Sequence, residues 1–203
     1  MHEIHLTWNG PYTFKDIILG NTETQNNAIG VYFHTEEIDG KTFISYAGKA
    51  MGKPGLVKRQ LQHYLHFIGG MYNIPSDYRG SQREWVPDNK HYNKKENREY
   101  FETIFDKDKF LTLVGEAFGY VQKLRIYLAS EMFEKQDIPL IERKLLYAFQ
   151  PLNTFWGTTS DACPDIVLKH EGAVPGETVS TWIDNNKHFN GFRSGSHRGV
   201  PPE

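Results

Sequence analysis

The sequence predicts an α/β protein, and three observations predict it. β-Branched and aromatic runs stand at 3–8, 29–34 and 42–47, apolar residues at helical spacing follow at 56–68, 110–118 and 139–151, and 203 residues suit one domain with an embellishment. A chain of this length buries about 70% of the surface it exposes when unfolded. Its 38% hydrophobic and 14% aromatic content supplies the core. No segment nears the roughly 18 unbroken apolar residues of a membrane span, so a soluble protein without a membrane partner is expected.

Ile4, Leu6 and Trp8 alternate, which gives a first strand over 3–8, broken by Asn9-Gly10-Pro11. A short helix is expected around Thr13 to Leu19, followed by a polar loop. Ile29 to His34 and Thr42 to Ala47 form a hairpin through an acidic turn ending in Asp39-Gly40. After the loop Gly52 to Gly55, a helix runs from about Leu56 to Ile68. Val57, Leu61, Tyr64, Leu65 and Ile68 are read as its apolar face, with Arg59, His63 and His66 opposite.

Residues 69–107 change character, with Gly69-Gly70, Pro75, Pro87 and the polar run DNKHYNKKENREY. Phe110, Leu111, Val114, Ala117 and Phe118 keep helical spacing, and Tyr120 to Ala129 reads as a strand. Asp137 and Pro139 open a helix that ends at Pro151. Its stripe is Ile138, Ile141, Leu145, Ala148 and Phe149, with Glu142 at the edge, half desolvated and in need of a partner. A small β unit (Asp165 to Lys169, Thr178 to Ile183) precedes a glycine-rich tail.

Composition narrows the function. A net charge of −2 argues against indiscriminate coating of nucleic acid, yet the charge is polarised. Residues 1–40 hold six acids and one Lys, whereas 41–70 hold Lys41, Lys49, Lys53, Lys58 and Arg59 with no acid, which favours an anionic ligand there. The single Cys163 excludes an internal disulfide and a zinc cluster built on cysteines. With no signal-peptide pattern at the N-terminus, a reducing cytoplasm is the expected home.

The chemistry-bearing residues come in a fixed order: Gly30-Val31-Tyr32, then Tyr46-Ala47-Gly48 with Lys49, then Arg59 and His63 on a helix, then Glu142 on a distant helix and Asn153 beyond its end. Singly each has a plain structural reading, the tyrosines as sheet aromatics and Glu142 as a paired helix-edge carboxylate. Together they suit phosphodiester hydrolysis. Arg59 can fork onto non-bridging oxygens. Glu142 is a hard oxygen ligand, and Mg²⁺ often takes only one or two carboxylates, the substrate phosphate and water completing its shell. Tyr32, assisted by Tyr46, or else His63, would take the water's proton. A tyrosine pKa of about 10 would have to fall by about two units, with Lys49, Arg59 and the metal lowering it.

This order resembles the GIY-YIG nuclease superfamily over roughly residues 29–67 and 122–154. The resemblance implies a small antiparallel three-stranded sheet flanked by helices, with N-terminal, inserted and C-terminal elaborations. The expected organisation is an arm over 1–28 packed on the core, a catalytic domain over 29–154 with an insertion at 69–107, and an extension over 155–203 with a flexible tail. The implied activity is a Mg²⁺-dependent endonuclease acting on DNA, with one ion per site on Glu142 (Mn²⁺ as a substitute) and Tyr32, Tyr46, Lys49, Arg59, His63, Glu142 and Asn153 as the catalytic set. Lys53, Lys58, Arg79, Arg83, Lys94, Lys95, Arg193 and Arg198 are the expected nucleic-acid contacts, and a homodimer would cut both strands. A restriction-type enzyme, a repair or mobile-element nuclease, and a binding module without turnover all remain open at this point.

Overall fold

The computed structural model describes residues 2–22, 24, 27–38, 41–53, 55–69, 102, 104–130, 133–149 and 164–173, with two short paired segments at 74–75 and 82–83. The α/β class holds, but the expected three-stranded antiparallel sheet is corrected to a mixed sheet of five strands. These are β1 (His2–Tyr12), β2 (Gly30–Ile38), β3 (Lys41–Ala50), β6 (Arg125–Ala129) and β7 (Ile166–Gly172), in the order β3-β2-β6-β1-β7. The two short segments, β4 (Ile74–Pro75) and β5 (Gln82–Arg83), pair only with each other.

Each of the first four strands of that order is antiparallel to its neighbour, and β7 adds parallel to β1, running from His2↔Ile166 to Trp8↔Gly172. The physical reason for the extra strands is a backbone edge. Without β1, β6 would present unpaired N–H and C=O groups on its outer side. Ile4, Leu6 and Trp8 face inward while Glu3, His5 and Thr7 face out, so β1 covers that edge and buries one apolar row. The N-terminal segment is thus a strand of the common sheet.

The strand also runs through Asn9-Gly10-Pro11, where a break was expected. Past Trp8 the β7 ladder has ended and the β1·β6 register shifts between Asn9 and Tyr12, so Pro11 sits where its missing N–H disrupts little.

Helices cover both faces. On one side lie α1 (Phe14–Ile18), α2 (Gly55–Ile68) and α3 (Lys107–Lys123), and on the other α4 (Asp137–Phe149). A capping box starts α1: Asp16 N donates to Thr13 Oγ1 at 3.2 Å while Thr13 N donates to Asp16 Oδ2 at 2.8 Å. Asp106 caps α3 by accepting from the N–H groups of Asp108 and Lys109, both at 3.1 Å.

Helix α3 continues through Tyr120 and Val121, which were expected to begin a strand. Leu113, Ala117 and Val121 repeat every four residues and all three are buried, so the helical period wins until Leu124. Alternation along β2 sends Val31 and Phe33 into the α4 layer and Tyr32 into the α2 layer. The Asp39-Gly40 turn, Thr178 to Ile183 and the tail lie outside the described residues, as does most of 69–107.

Candidate active site

Helix α2 is anchored by Gly55, whose φ of +65° and closeness to the Asn27–Ala28 backbone exclude a side chain. Leu56 N donates to Ala28 O at 2.7 Å, tying the helix start to the segment that enters β2. The face presented to the sheet differs in part from the one expected: Val57, Tyr64 and Ile68 are half-buried against the core as expected. Leu61 and Leu65 are exposed, while Leu56, Gln60, His63 and Phe67 are buried. Polar partners on β2 explain the rotation: Gln60 and His63 each find one, so their burial is compensated.

His63 Nε2 and the Tyr32 hydroxyl share a hydrogen bond of 2.6 Å, and Arg59 Nε donates to the same hydroxyl at 3.3 Å. The Tyr32 and Tyr46 rings stack with centroids 5.9 Å apart. Gly48 makes that stacking possible, because a Cβ there would lie 2.5 Å from Tyr32 Oη and 2.7 Å from Tyr46 Cε1. Gly48 therefore has a steric cause in the tyrosine pair, Tyr32 lying directly opposite it, whereas a Cβ at Gly30 would meet Ala129 O.

Electrostatics in this cluster run against the simple expectation of an acidified phenol. Burial pushes Tyr32 well above the usual tyrosine pKa, Tyr46 adds to the rise, and Arg59 opposes it. Burial also holds His63 far below the usual histidine range, helped by His34 and Arg59. Both groups are neutral at pH 7. Tyr32 is fully buried, whereas Tyr46 and Arg59 are half-buried, so solvent meets the cluster through those two side chains.

Lys49 and Glu142 meet on the other side of β3, where the Lys49 ammonium donates to the Glu142 carboxylate. Glu142 thus has the partner its place on the stripe demands, and Lys49 acts on Glu142 rather than on Tyr32. The expected residues form two contact clusters flanking β3, which is the edge strand of the sheet. Tyr32, Tyr46, Arg59 and His63 make one, and Lys49 with Glu142 the other.

Asn153 falls outside the described residues, as do Arg79, Lys94, Lys95, Arg193 and Arg198; Arg83 is placed only as part of β5. Lys58 is exposed on α2. Lys53 lines an open cleft of about 530 Å³ with Asn27, Ile29, Met51, Gly52 and Lys135. Lys135 was not among the expected basic contacts, since it lies in no basic run of the sequence.

Two further residues went unread. His34 and Gln60 are buried beside the tyrosines, with His34 Nε2 donating to Gln60 Oε1 at 2.7 Å. The signal was present: His34 lies two residues after Tyr32 on one strand face, and Gln60 lies one turn before His63.

Of the described residues expected at a metal site, Glu142 is the carboxylate that could hold a divalent cation. Its carboxylate already accepts a cationic partner, and it is a hard oxygen donor. Among the described residues no three His, Cys, Asp or Glu side chains gather as a ready metal cage, so Glu142 with phosphate and water oxygens would form the shell. Among the described residues, also, no helix is long and apolar enough to cross a membrane. Comparison with protein-family models, curated proteins and solved structures returned no match.

Proposed function

We propose that this chain is a GIY-YIG-type endonuclease that hydrolyses DNA phosphodiester bonds with Mg²⁺. The observation that carries the reading is the Tyr32 hydroxyl, held at 2.6 Å from His63 Nε2 and 3.3 Å from Arg59 Nε and stacked under Tyr46. A tyrosine pair backed by an imidazole and edged by a guanidinium is a proton-transfer device next to an anion site. A buried tyrosine hydroxyl needs one partner, which His63 supplies; the second, from the half-buried Arg59, goes beyond that need.

The scissile phosphate lies at the edge strand, where Arg59 is half-buried and can fork onto its non-bridging oxygens. As the attacking water gives its proton to the Tyr46 hydroxyl oxygen, on the side solvent reaches, Tyr46 gives its own proton to Tyr32 and Tyr32 its own to neutral His63. Each hydroxyl thus loses one proton as it gains one. The short-lived imidazolium returns its proton along the same chain to the leaving oxygen or solvent, and Arg59 stabilises the negative charge that builds on the phosphate and on the Tyr32 oxygen. Glu142 would hold the metal ion, which supplies Lewis-acid stabilisation of the phosphoryl oxygens and the leaving oxygen when bound. In that state Lys49 would give up its pairing with the carboxylate.

The test is purified protein with Mg²⁺ against supercoiled plasmid, flapped or branched duplex and single strands, with a chelator control. Discrete plasmid fragments indicate a restriction-type enzyme, and preference for nicks, flaps or branches a repair or mobile-element enzyme. Absence of cleavage on every substrate sinks the proposal. A binding module without turnover is the second reading, favoured by the closed Lys49 to Glu142 pair; it requires that DNA bind and stay intact.

A further inference from the structure

We infer that His34 and Gln60 are positioning residues, a buried strut that sets where β2 holds Tyr32 against where α2 holds Arg59 and His63. The inference rests on the tyrosine and histidine cluster being the reacting site. It adds two residues with no place in the constellation that suggested that site.

The geometry is specific. Gln60 is fully buried and lies next to Arg59 and one turn before His63, so fixing its amide fixes both the rotation and the axial position of α2. The fixing contact is the 2.7 Å hydrogen bond to His34 Nε2, which reaches from the same strand face as Tyr32. The His34 ring stands edge-on to His63 at 4.9 Å, and within 5.5 Å of Tyr32 and 5.3 Å of Tyr46. Phe14 packs edge-on against His34 at 5.4 Å, closing the side away from the cluster. His34 thus touches three of the four members of the cluster, and its partner sits beside the fourth.

Packing alone does not account for this pair. Two apolar side chains of the same shape would fill the volume without desolvating an imidazole and an amide, and such exchanges are often neutral or stabilising. Moreover, His34 Nδ1 and Gln60 Nε2 find no hydrogen-bond partner among the described residues. The pair is therefore a poor device for stability and a good one for direction, since a hydrogen bond fixes an orientation that apolar contact leaves loose.

The experiment compares His34→Phe, Gln60→Met and the double variant with wild type. Phenylalanine keeps the ring packing, methionine keeps the volume, and the double variant leaves no orphaned partner. Each single change is expected to lower Tm. The double variant should recover Tm to near the wild-type value, yet show kcat for DNA cleavage roughly 10- to 100-fold below wild type with KM unchanged. The ¹⁵N resonances of His63 report whether Nε2 still accepts from Tyr32, and they should change in the double variant.

Wild-type kcat together with wild-type His63 resonances in the double variant overturns the inference. So does a fall in kcat that only tracks the fraction of unfolded protein. Gln60→Asn retains an amide but shortens its reach by one methylene; it is judged by the same two readouts if the double variant does not fold. If wild type cleaves no nucleic acid, the nuclease reading falls, and the His63 resonances alone decide the strut: changed resonances support it and unchanged ones refute it.

Discussion

Tyr32 shows how burial and the proposed catalytic role pull on one side chain. Desolvation keeps its phenol protonated at neutral pH, so in the resting protein it is a neutral hydroxyl sharing a hydrogen bond with His63 and not a free phenolate. The sequence shows the tyrosine and its glycine, but the downward pKa shift expected from nearby cations has the wrong sign because burial of the phenol outweighs Arg59, and Lys49 pairs with Glu142 instead. Tyr32→Phe should reduce cleavage by roughly 10²- to 10⁴-fold, measured at saturating DNA and Mg²⁺. It should also destabilise by about 1–3 kcal/mol, because His63 loses a buried partner. Gly48→Ala places a methyl where Tyr32 Oη sits, so turnover should fall and stability drop by about 1–3 kcal/mol.

The buried histidines set a pH dependence at the same scale. Burial lowers His34 and His170 to about 4, and His63 further, from 6.5. Between about 4 and 6.5 the unfolded chain binds more protons than the folded one, so their contribution is full above 6.5 and is lost as the pH falls toward 4. Glu36, raised by burial, works in the opposite direction but is one group against three. Thermal melts should therefore show Tm falling from pH 7 to pH 4.5. A flat or rising Tm over that range contradicts the burial of these imidazoles.

At the scale of elements, α2 was legible as a helix but only in part in its orientation. Of the apolar face that the spacing pointed to, Val57, Tyr64 and Ile68 pack against the core while Leu61 and Leu65 are exposed, and the helix buries Leu56 and Phe67 together with Gln60 and His63. No local pattern reveals this, because what compensates the two polar side chains is His34 and Tyr32 on another element. Leu56→Ala should cost about 2–5 kcal/mol. Leu65→Ala, at a position 56% exposed, should stay within about 0.5 kcal/mol of wild type. Denaturant melts of the two variants settle which face is buried. Helix α4 was read correctly in its stripe, since Ile138, Ile141, Leu145, Ala148 and Phe149 are all buried; there the apolar period and the packing agree.

For the whole molecule, the sheet is where sequence reading stopped short. β1 and β7 pair residues more than 160 positions apart, and no local signal encodes that partnership. Trp8 ties them to the core: it stacks on Phe33 at 4.4 Å and its Nε1 donates to His170 Nδ1 at 2.9 Å. A fragment limited to residues 29–154 lacks α1, β1 and β7, and leaves β6 as an open edge. It should show no cooperative thermal transition, in contrast to the full chain. A sharp melt of that fragment would place the folding unit inside those boundaries after all. The same sheet puts β3 at its edge, with the tyrosine cluster on one face and Glu142 on the other, so a phosphate must reach both around that edge.

That requirement makes Glu142 the residue whose role is most open to direct measurement. Cleavage and DNA binding should be measured side by side for wild type and Glu142→Gln, with Mg²⁺ present. The expected result is wild-type cleavage that is abolished in the variant while DNA affinity is retained. Equal turnover by the two proteins, or intact DNA with both, would contradict a metal-assisted nuclease built on Tyr32, Arg59, His63 and Glu142.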